Sequence, residues 1–280
     1  MQSISISQLQ SVPEFGLIIV GDEILSGKRA DKHMSKVIEL LHARGLTLSQ
    51  VEIVGDSRAR ITKLLEMAFD TSGVYFSCGG IGATPDDHTR QCAAQALGRD
   101  LALHPDAEVL IRQRMKDLAK ESGTEYQADH PDNIHRLNMG VFPVGAELIP
   151  NPYNKIPGFT CEGSQGTVHF VPGFPVMAWP MIEWVLDSKY KHFHQLSNTQ
   201  ELSVIVYGAM EAALTPHMIA IEAAFPGIKV FSLPSVDHPV HGKHIELGVK
   251  GAKPWVDQAY QALKQRMIDF GASMGPEMVR

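Results

Sequence analysis

The sequence predicts an α/β fold, a mainly parallel sheet with helices on its faces, followed by a small α+β module. Apolar, β-favouring runs alternate with helix-period segments through the first half of the chain, which is the pattern of βαβ units. The first three of those runs each end in a turn that carries glycine and acid. Beyond the polar patch Ser188 to Gln200 a second, shorter series reads βαββα.

The elements follow in order. Gly16 to Val20 is a continuous apolar run ending in Gly21-Asp22-Glu23, and Asp31 to Arg44 then places Met34, Val37, Ile38 and Leu41 at helical spacing, closed by Gly45. Val51 to Val54 ends in Gly55-Asp56, Ala59 to Phe69 reads as a helix, and Val74 to Cys78 is the third strand. The helix-like stretch Thr89 to Leu97 follows a glycine loop. Asp106 to Lys120 is amphipathic, and Glu121 to Asn133 is polar enough to read as a mobile excursion. Gly145 to Ile149 and Thr167 to Val171 read as strands, each followed by a proline-bearing turn, Pro150 to Asn154 and Pro172 to Pro175. Met181 to Leu186 closes the first unit. In the second, strands are expected at Leu202 to Tyr207, Ile228 to Leu233 and Ile245 to Val249, with helices at Pro216 to Ala224 and Trp255 to Phe270. The expected boundaries are an N-terminal tail over 1–14, a main domain over 15–190 and the small domain over 200–280.

Bulk composition narrows the function classes. With 280 residues, 44% hydrophobic and 20% charged, the chain can bury a substantial core. A net charge of -6 supplies no global field for nucleic acid or an anionic membrane, so neither is an expected partner. Cys78, Cys92 and Cys161 are odd in number and lack CxxC spacing, which argues for a reducing cytoplasm over a disulfide or zinc framework. No window reaches the roughly 18 apolar residues of a membrane span, and the first fifteen residues have no leader character. His238, His241 and His244 read as residues of a solvated loop, Ser77 and Cys78 as strand residues rather than nucleophiles, and the Met177 to Met181 region as packing.

The most informative stretch is CGGIGATPDDHT, Cys78 to Thr89, set at a strand-to-helix turn. Gly79, Gly80 and Gly82 let the backbone turn sharply and bring N–H groups near a ligand oxygen. Pro85 suits a first helical turn, and Asp86, Asp87 and Thr89 cluster where unpaired N–H groups attract phosphate. Two carboxylates beside a phosphate repel it: unit charges about 5 Å apart at an effective dielectric of about 20 interact by roughly 3 kcal/mol, more than a helix dipole supplies. A divalent cation, magnesium above others, reverses that sign. The expected ligand is therefore a phosphate-bearing small molecule bridged by metal. Two other phosphate signatures fail. Gly21 to Lys28 has five residues between its glycines, with Arg29 after the lysine, where a P-loop needs four and a Ser or Thr; Gly80 to Pro85 ends in proline where a dinucleotide fingerprint needs a small residue.

The combination GLIIVGDEILSG, VEIVGD and SCGGIGATPDDHT resembles the molybdenum-cofactor biosynthesis domain of MogA, MoaB and MoeA proteins, and most closely the N-terminal part of CinA-type proteins. The resemblance continues through RLNMGVFPVGAELIPNPYNKIPGF and VPGFPVMAWPM to the C-terminal module. It implies a three-layer α/β/α domain that binds a molybdopterin-like or nucleotide ligand with magnesium or another divalent cation. By resemblance, Gly79, Gly80, Gly82 and Thr84 form the ligand-phosphate loop, and Thr89 at the helix start is expected to bind the ligand with them. Asp87 and Asp56 are functional acids, Asp22, Ser26 and Asp31 belong to the first turn and helix opening, and the Pro172-Gly173 turn faces the ligand. Relatives with linked activity imply hydrolysis of ADP-ribose-like or FAD-like diphosphates. In that reading Asp56, Asp86 and Asp87 hold the cation and Asp22 or Glu23 orients a water. Ala83, Lys32, His33 and Met177 depart from the CinA pattern; at Met177 a glutamate is usual. The alternative is a binding or regulatory module without turnover. The amidohydrolase domain of full CinA proteins is expected to be missing, and a homo-oligomer is expected.

Overall fold

A computed structural model describes residues 12–194 and 199–280 of the chain. Most of the expected N-terminal tail, residues 1–11, and part of the expected boundary, residues 195–198, lie outside the described residues. The chain divides into two compact units between His194 and Gln195.

The first unit is built on a six-stranded sheet of order β2-β1-β3-β8-β7-β6. Its strands are β1 (Phe15–Val20), β2 (Leu48–Val54), β3 (Val74–Cys78), β6 (Glu147–Ile149), β7 (Gly158–Glu162) and β8 (Thr167–Val171). The four strands from β2 to β8 are parallel, and β7 and β6 continue the sheet antiparallel. Every residue of β1 is buried, so its alternate side chains feed two different cores. Phe15, Leu17 and Ile19 pack with Val37, Leu40 and Leu41 of α2 (His33–His42) and with Met181, Ile182 and Val185 of α7 (Pro175–Lys189). Ile18 and Val20 face the other way, toward Ile61, Leu65 and Phe69 of α3 (Arg58–Asp70) and Cys92 and Ala93 of α4 (Thr89–Leu97). Helices on both faces of a mainly parallel sheet are the α/β arrangement expected from the alternation.

Strand order explains the placement. The chain runs from β1 outward to β2 and then crosses back to β3 on the other side of β1, so right-handed crossovers send α2 and α3 to opposite faces. Between β1 and β3 the order reverses, and a crevice opens at the carboxyl ends of the strands.

Several local features differ from the sequence reading. α7 starts at Pro175, whose missing N–H is one the first turn leaves unpaired anyway, and continues through Pro180, which sits inside the helix. α5 (Pro105–Ser122) extends into the stretch read as an excursion, and α6 (Pro131–Arg136) occupies its end, followed by a 3-10 turn at Leu137–Gly140. A two-stranded ribbon of β4 (Leu101–Leu103) and β5 (Val141–Pro143) flanks this region.

The second unit is a four-stranded antiparallel sheet of order β10-β11-β9-β12 with α8 (Glu211–Ala224) and α9 (Lys253–Phe270). Its strands are β9 (Thr199–Tyr207), β10 (Lys229–His238), β11 (Gly242–Ala252) and β12 (Ser273–Val279). Leu214 and Ile221 of α8 and Val256, Leu263 and Met267 of α9 pack on Val204, Val206, Leu247 and Val249. β12 adds a strand to the expected βαββα series. Gly275 and Pro276 hid it; they sit where its register with β9 shifts between Met274 and Glu277, and β12 is an edge strand, the place where sheets accept proline.

Candidate functional site

A pocket of about 430 Å³ lies at the switch point between β1 and β3. Its polar side is built from the ends of three adjacent parallel strands: Gly21 and Glu23 after β1, Asp56 after β2, and Gly79 to Thr84 with Asp86 and Asp87 after β3. Val20 and Val54 are partners in the β1–β2 register, which brings the acids that follow them together. The opposite wall comes from the turns after β6 and β8, with Asn151, Asn154, Ile156, Pro172, Gly173 and Phe174, and from Met177.

The glycine loop carries the most specific geometry. Gly79 and Gly80 have φ of 106° and 69°, and a Cβ on Gly79 would collide with the Val20 carbonyl oxygen, so side chains are excluded by both conformation and space. The carbonyl oxygens of the loop are turned into the scaffold. Thr89 Oγ1 donates to Gly79 O at 3.1 Å, the Thr89 N–H to Gly80 O at 3.0 Å, and Arg90 Nη2 to Gly82 O at 2.6 Å. In a trans peptide the N–H of the next residue points opposite to the carbonyl. The N–H groups of Gly80, Ile81 and Ala83 are thereby directed away from those partners, and with the Gly82 N–H they meet no acceptor among the described residues. All four of these residues line the pocket.

The acids divide by what holds them. Asp22 and Asp56 exchange bonds: the Asp22 N–H donates to Asp56 Oδ2 at 2.9 Å and the Asp56 N–H to Asp22 Oδ1 at 3.1 Å. Burial pushes the Asp56 carboxyl above its ordinary value; the Asp22 N–H opposes this, and the charges of Asp22, Glu23 and Asp86 add to it. Asp87 Oδ2 accepts from the Thr84 N–H at 3.0 Å and from Thr84 Oγ1 at 2.5 Å, so this carboxylate closes the turn as well as lining the pocket.

Of the residues singled out from sequence, Glu23, Asp56, Asp86, Asp87, Gly79, Gly80, Gly82, Thr84, Pro172 and Gly173 line the pocket. Asp22, Ser26, Asp31 and Thr89 are not among its lining. Asp22 braces Asp56, and Thr89 is buried behind the loop. Asp31 accepts from the N–H groups of His33 and Met34 at the start of α2, and Ser26 ends the four-residue helix α1 (Asp22–Leu25). Among the described residues no group of three or more His, Cys, Asp or Glu is gathered closely enough to hold a metal ion. That includes His238, His241 and His244, whose rings do meet at 5.0 to 5.7 Å.

Sequence reasoning missed several participants. Arg29 is the lone basic side chain lining the pocket among the described residues. Asn151, 5% exposed, fixes the turn after β6 by donating to Asn154 Oδ1 at 2.8 Å and Ile156 O at 2.9 Å; Asn154 in turn donates to Met177 Sδ at 3.2 Å. His33 Nε2 lies 3.0 Å from Gly173 O, tying α2 to the turn after β8. The Asn151 and Pro172 turns were visible as rigid reversals, whereas the side-chain partners across them were not. No helix among the described residues is long and apolar enough to cross a membrane.

Comparison with known proteins agrees with this architecture. Residues 16–192 match the MoCF_biosynth family, described as a probable molybdopterin binding domain. A CinA-like protein of Geobacter metallireducens is 30% identical over 225 residues, 80% of this chain and 52% of that protein, and one of Anaeromyxobacter dehalogenans is 31% identical over 171 residues, 61% of this chain and 40% of that protein. The chain thus spans about half of these relatives or less. The crystal structure of the protein CinA of Thermoplasma acidophilum, titled as of unknown function, superposes with a TM-score of 0.53 at 25% identity, covering 62% of this chain and 97% of that one. The chain belongs to the MoCF_biosynth family of molybdopterin-binding-type domains and, within it, is of the CinA-like type.

Proposed function

We propose that the pocket binds a phosphate-bearing pterin or nucleotide, with the phosphate seated on the glycine loop. The observation that carries this reading is that Gly80 to Ala83 line the pocket while their backbone N–H groups find no acceptor among the described residues. Unpaired backbone donors around a glycine turn form an anion cradle. A pocket of about 430 Å³ suits a small ligand, and its apolar wall of Met139, Ile156, Pro157, Phe174 and Met177 offers a face for a flat heterocycle.

Magnesium or another divalent cation fits the donor set. Asp56 and Asp86, with Glu23 beside them, present hard carboxylate oxygens whose charges already oppose one another at Asp56. A site of one or two carboxylates completed by ligand phosphates is the usual magnesium arrangement and needs no closed protein cage. Once bound there, a cation would neutralise phosphate charge and polarise a phosphoryl oxygen. Asp56 and Asp86 would hold it, Asp22 would keep Asp56 in place, and Glu23 is the pocket carboxylate available to orient a water.

Metal-dependent hydrolysis of an ADP-ribose-like or FAD-like diphosphate is the catalytic form of this reading. Binding without turnover is favoured by two observations: Asp87 is engaged by Thr84, and a methionine sulfur, not an acid, receives the Asn154 amide. Incubation with ADP-ribose and FAD, with and without Mg²⁺, Mn²⁺ or Co²⁺, separates the two. Product release supports hydrolysis. Thermal protection without product supports binding alone, and neither protection nor product removes the proposal. A homo-oligomer and a cytoplasmic location remain part of this proposal, and sedimentation of the full chain tests the first.

A further inference from the structure

The cradle has a back as well as a front. Arg90 is only 4% exposed, and its guanidinium spans two backbone carbonyls, Gly82 O in the glycine loop at 2.6 Å and Asn138 O in the 3-10 turn after α6. Its Nε is buried without a partner. An incompletely satisfied buried cation is a poor stabilising device, so its place behind the loop points to a role other than stability. One residue further along the loop, His135 Nε2 lies 3.0 Å from Ala83 O, while His135 Nδ1 lies 3.4 Å from Asn138 Nδ2. An amide NH₂ can only donate, so Nδ1 is the acceptor and Nε2 carries the proton that it gives to Ala83.

Carbonyl oxygens facing the pocket would repel an anion. Arg90 and His135 hold two of them backward, and peptide planarity then turns the Ala83 N–H to the pocket side and the Thr84 N–H to Asp87. From this we infer, resting on the phosphate reading above, that Arg90 and His135 are positioning residues that set the donor array of the glycine loop from behind. The same pair couples ligand affinity to α6 and to the 3-10 turn after it, the turn that supplies Met139 to the pocket. Neither residue lines the pocket; both act through the direction of peptide groups.

The test is calorimetric titration of the full chain with pyrophosphate and with ADP-ribose, each with Mg²⁺. Arg90→Met should weaken both by at least tenfold. Arg90→Lys, able to reach one carbonyl but not span two, should fall between Arg90→Met and wild type. His135→Ala, at an exposed position, should weaken binding several-fold with an unchanged unfolding midpoint, and it carries the test should Arg90→Met fail to fold. A structural role alone would move the unfolding midpoint and leave affinity of the folded protein unaltered. If wild type binds and the folded variants bind equally well, the assignment of Arg90 and His135 is overturned while the phosphate reading stands. If wild type binds neither probe, the phosphate reading fails and this inference with it.

Discussion

Asp22 and Asp56 lie 34 residues apart in sequence, yet each accepts a hydrogen bond from the other's backbone N–H, at 2.9 and 3.1 Å. This reciprocal pair ties the end of β1 to the end of β2 and fixes where the Asp56 carboxylate stands in the pocket. Replacing Asp22 by asparagine leaves an oxygen for the Asp56 N–H but removes a charge that raises the Asp56 carboxyl. The Asp56 carboxyl in Asp22→Asn should therefore titrate at lower pH than in wild type, as followed by carboxyl-carbon NMR. Asp22→Ala removes the bond as well and should lower unfolding free energy by about 1 kcal/mol in urea titrations.

The two glycine-bearing walls respond differently to a methyl group. Gly80 has φ of 69°, and its Cβ would drive into Thr89 Oγ1, the group that holds the Gly79 carbonyl. Left-handed backbone alone costs an alanine roughly 1–2 kcal/mol, and displacing buried Thr89 adds to it. Gly80→Ala should lose at least about 2 kcal/mol of stability and its phosphate binding together. Gly173 has no such φ, and a Cβ there meets only Gly79, its Cα at 3.4 Å and its N at 4.0 Å, both ordinary contacts. Gly173→Ala should stay within about 0.5 kcal/mol of wild type in stability while narrowing the pocket and weakening ligand binding.

His169 makes the stability of the first unit pH-dependent. It is fully buried, with Nδ1 at 2.8 Å from Thr160 Oγ1 and Nε2 at 2.8 Å from Tyr190 OH, and Phe76 packs on its ring. Burial, with a smaller contribution from Lys189, pushes its pKa down to about 3. The unfolded chain takes up a proton near the ordinary pKa of about 6.5, whereas the folded one resists until about pH 3, so stability falls as pH drops through that window. The slope from this one group approaches about 1.4 kcal/mol per pH unit. His169→Gln should be less stable at neutral pH but should lose that portion of the acid slope in urea titrations between pH 4 and 6.

The alternation of apolar runs and helical periods was enough to reveal the fold class, because β1 and β3 are buried strands whose turns carry glycine and acid, and β8 is a buried strand that ends in a glycine turn. Acids after β1, β2 and β3 could be placed at one sheet edge for the same reason. What escaped depends on partners far along the chain. Arg90 looks like any polar residue of a short helix until the turn at Asn138, 48 residues on, arrives behind the loop. The Asn154 contact to Met177 and the His33 contact to Gly173 likewise exist only after α2, α7 and the turns have packed. Pro180 within α7 and Gly275-Pro276 within β12 misled for an opposite reason: both are breakers in general, yet α7 runs on through Pro180 and Gly275-Pro276 sit at an edge-strand irregularity.

The central claim is that the free N–H groups of the glycine loop receive a phosphoryl group. Amide NMR of the ¹⁵N-labelled chain titrated with ADP-ribose and Mg²⁺ tests it most directly. The amides of Gly80, Ile81, Gly82 and Ala83 should shift downfield, strongly and saturably, with little change at strand-core amides. Saturable binding that leaves those four amides unshifted would contradict it.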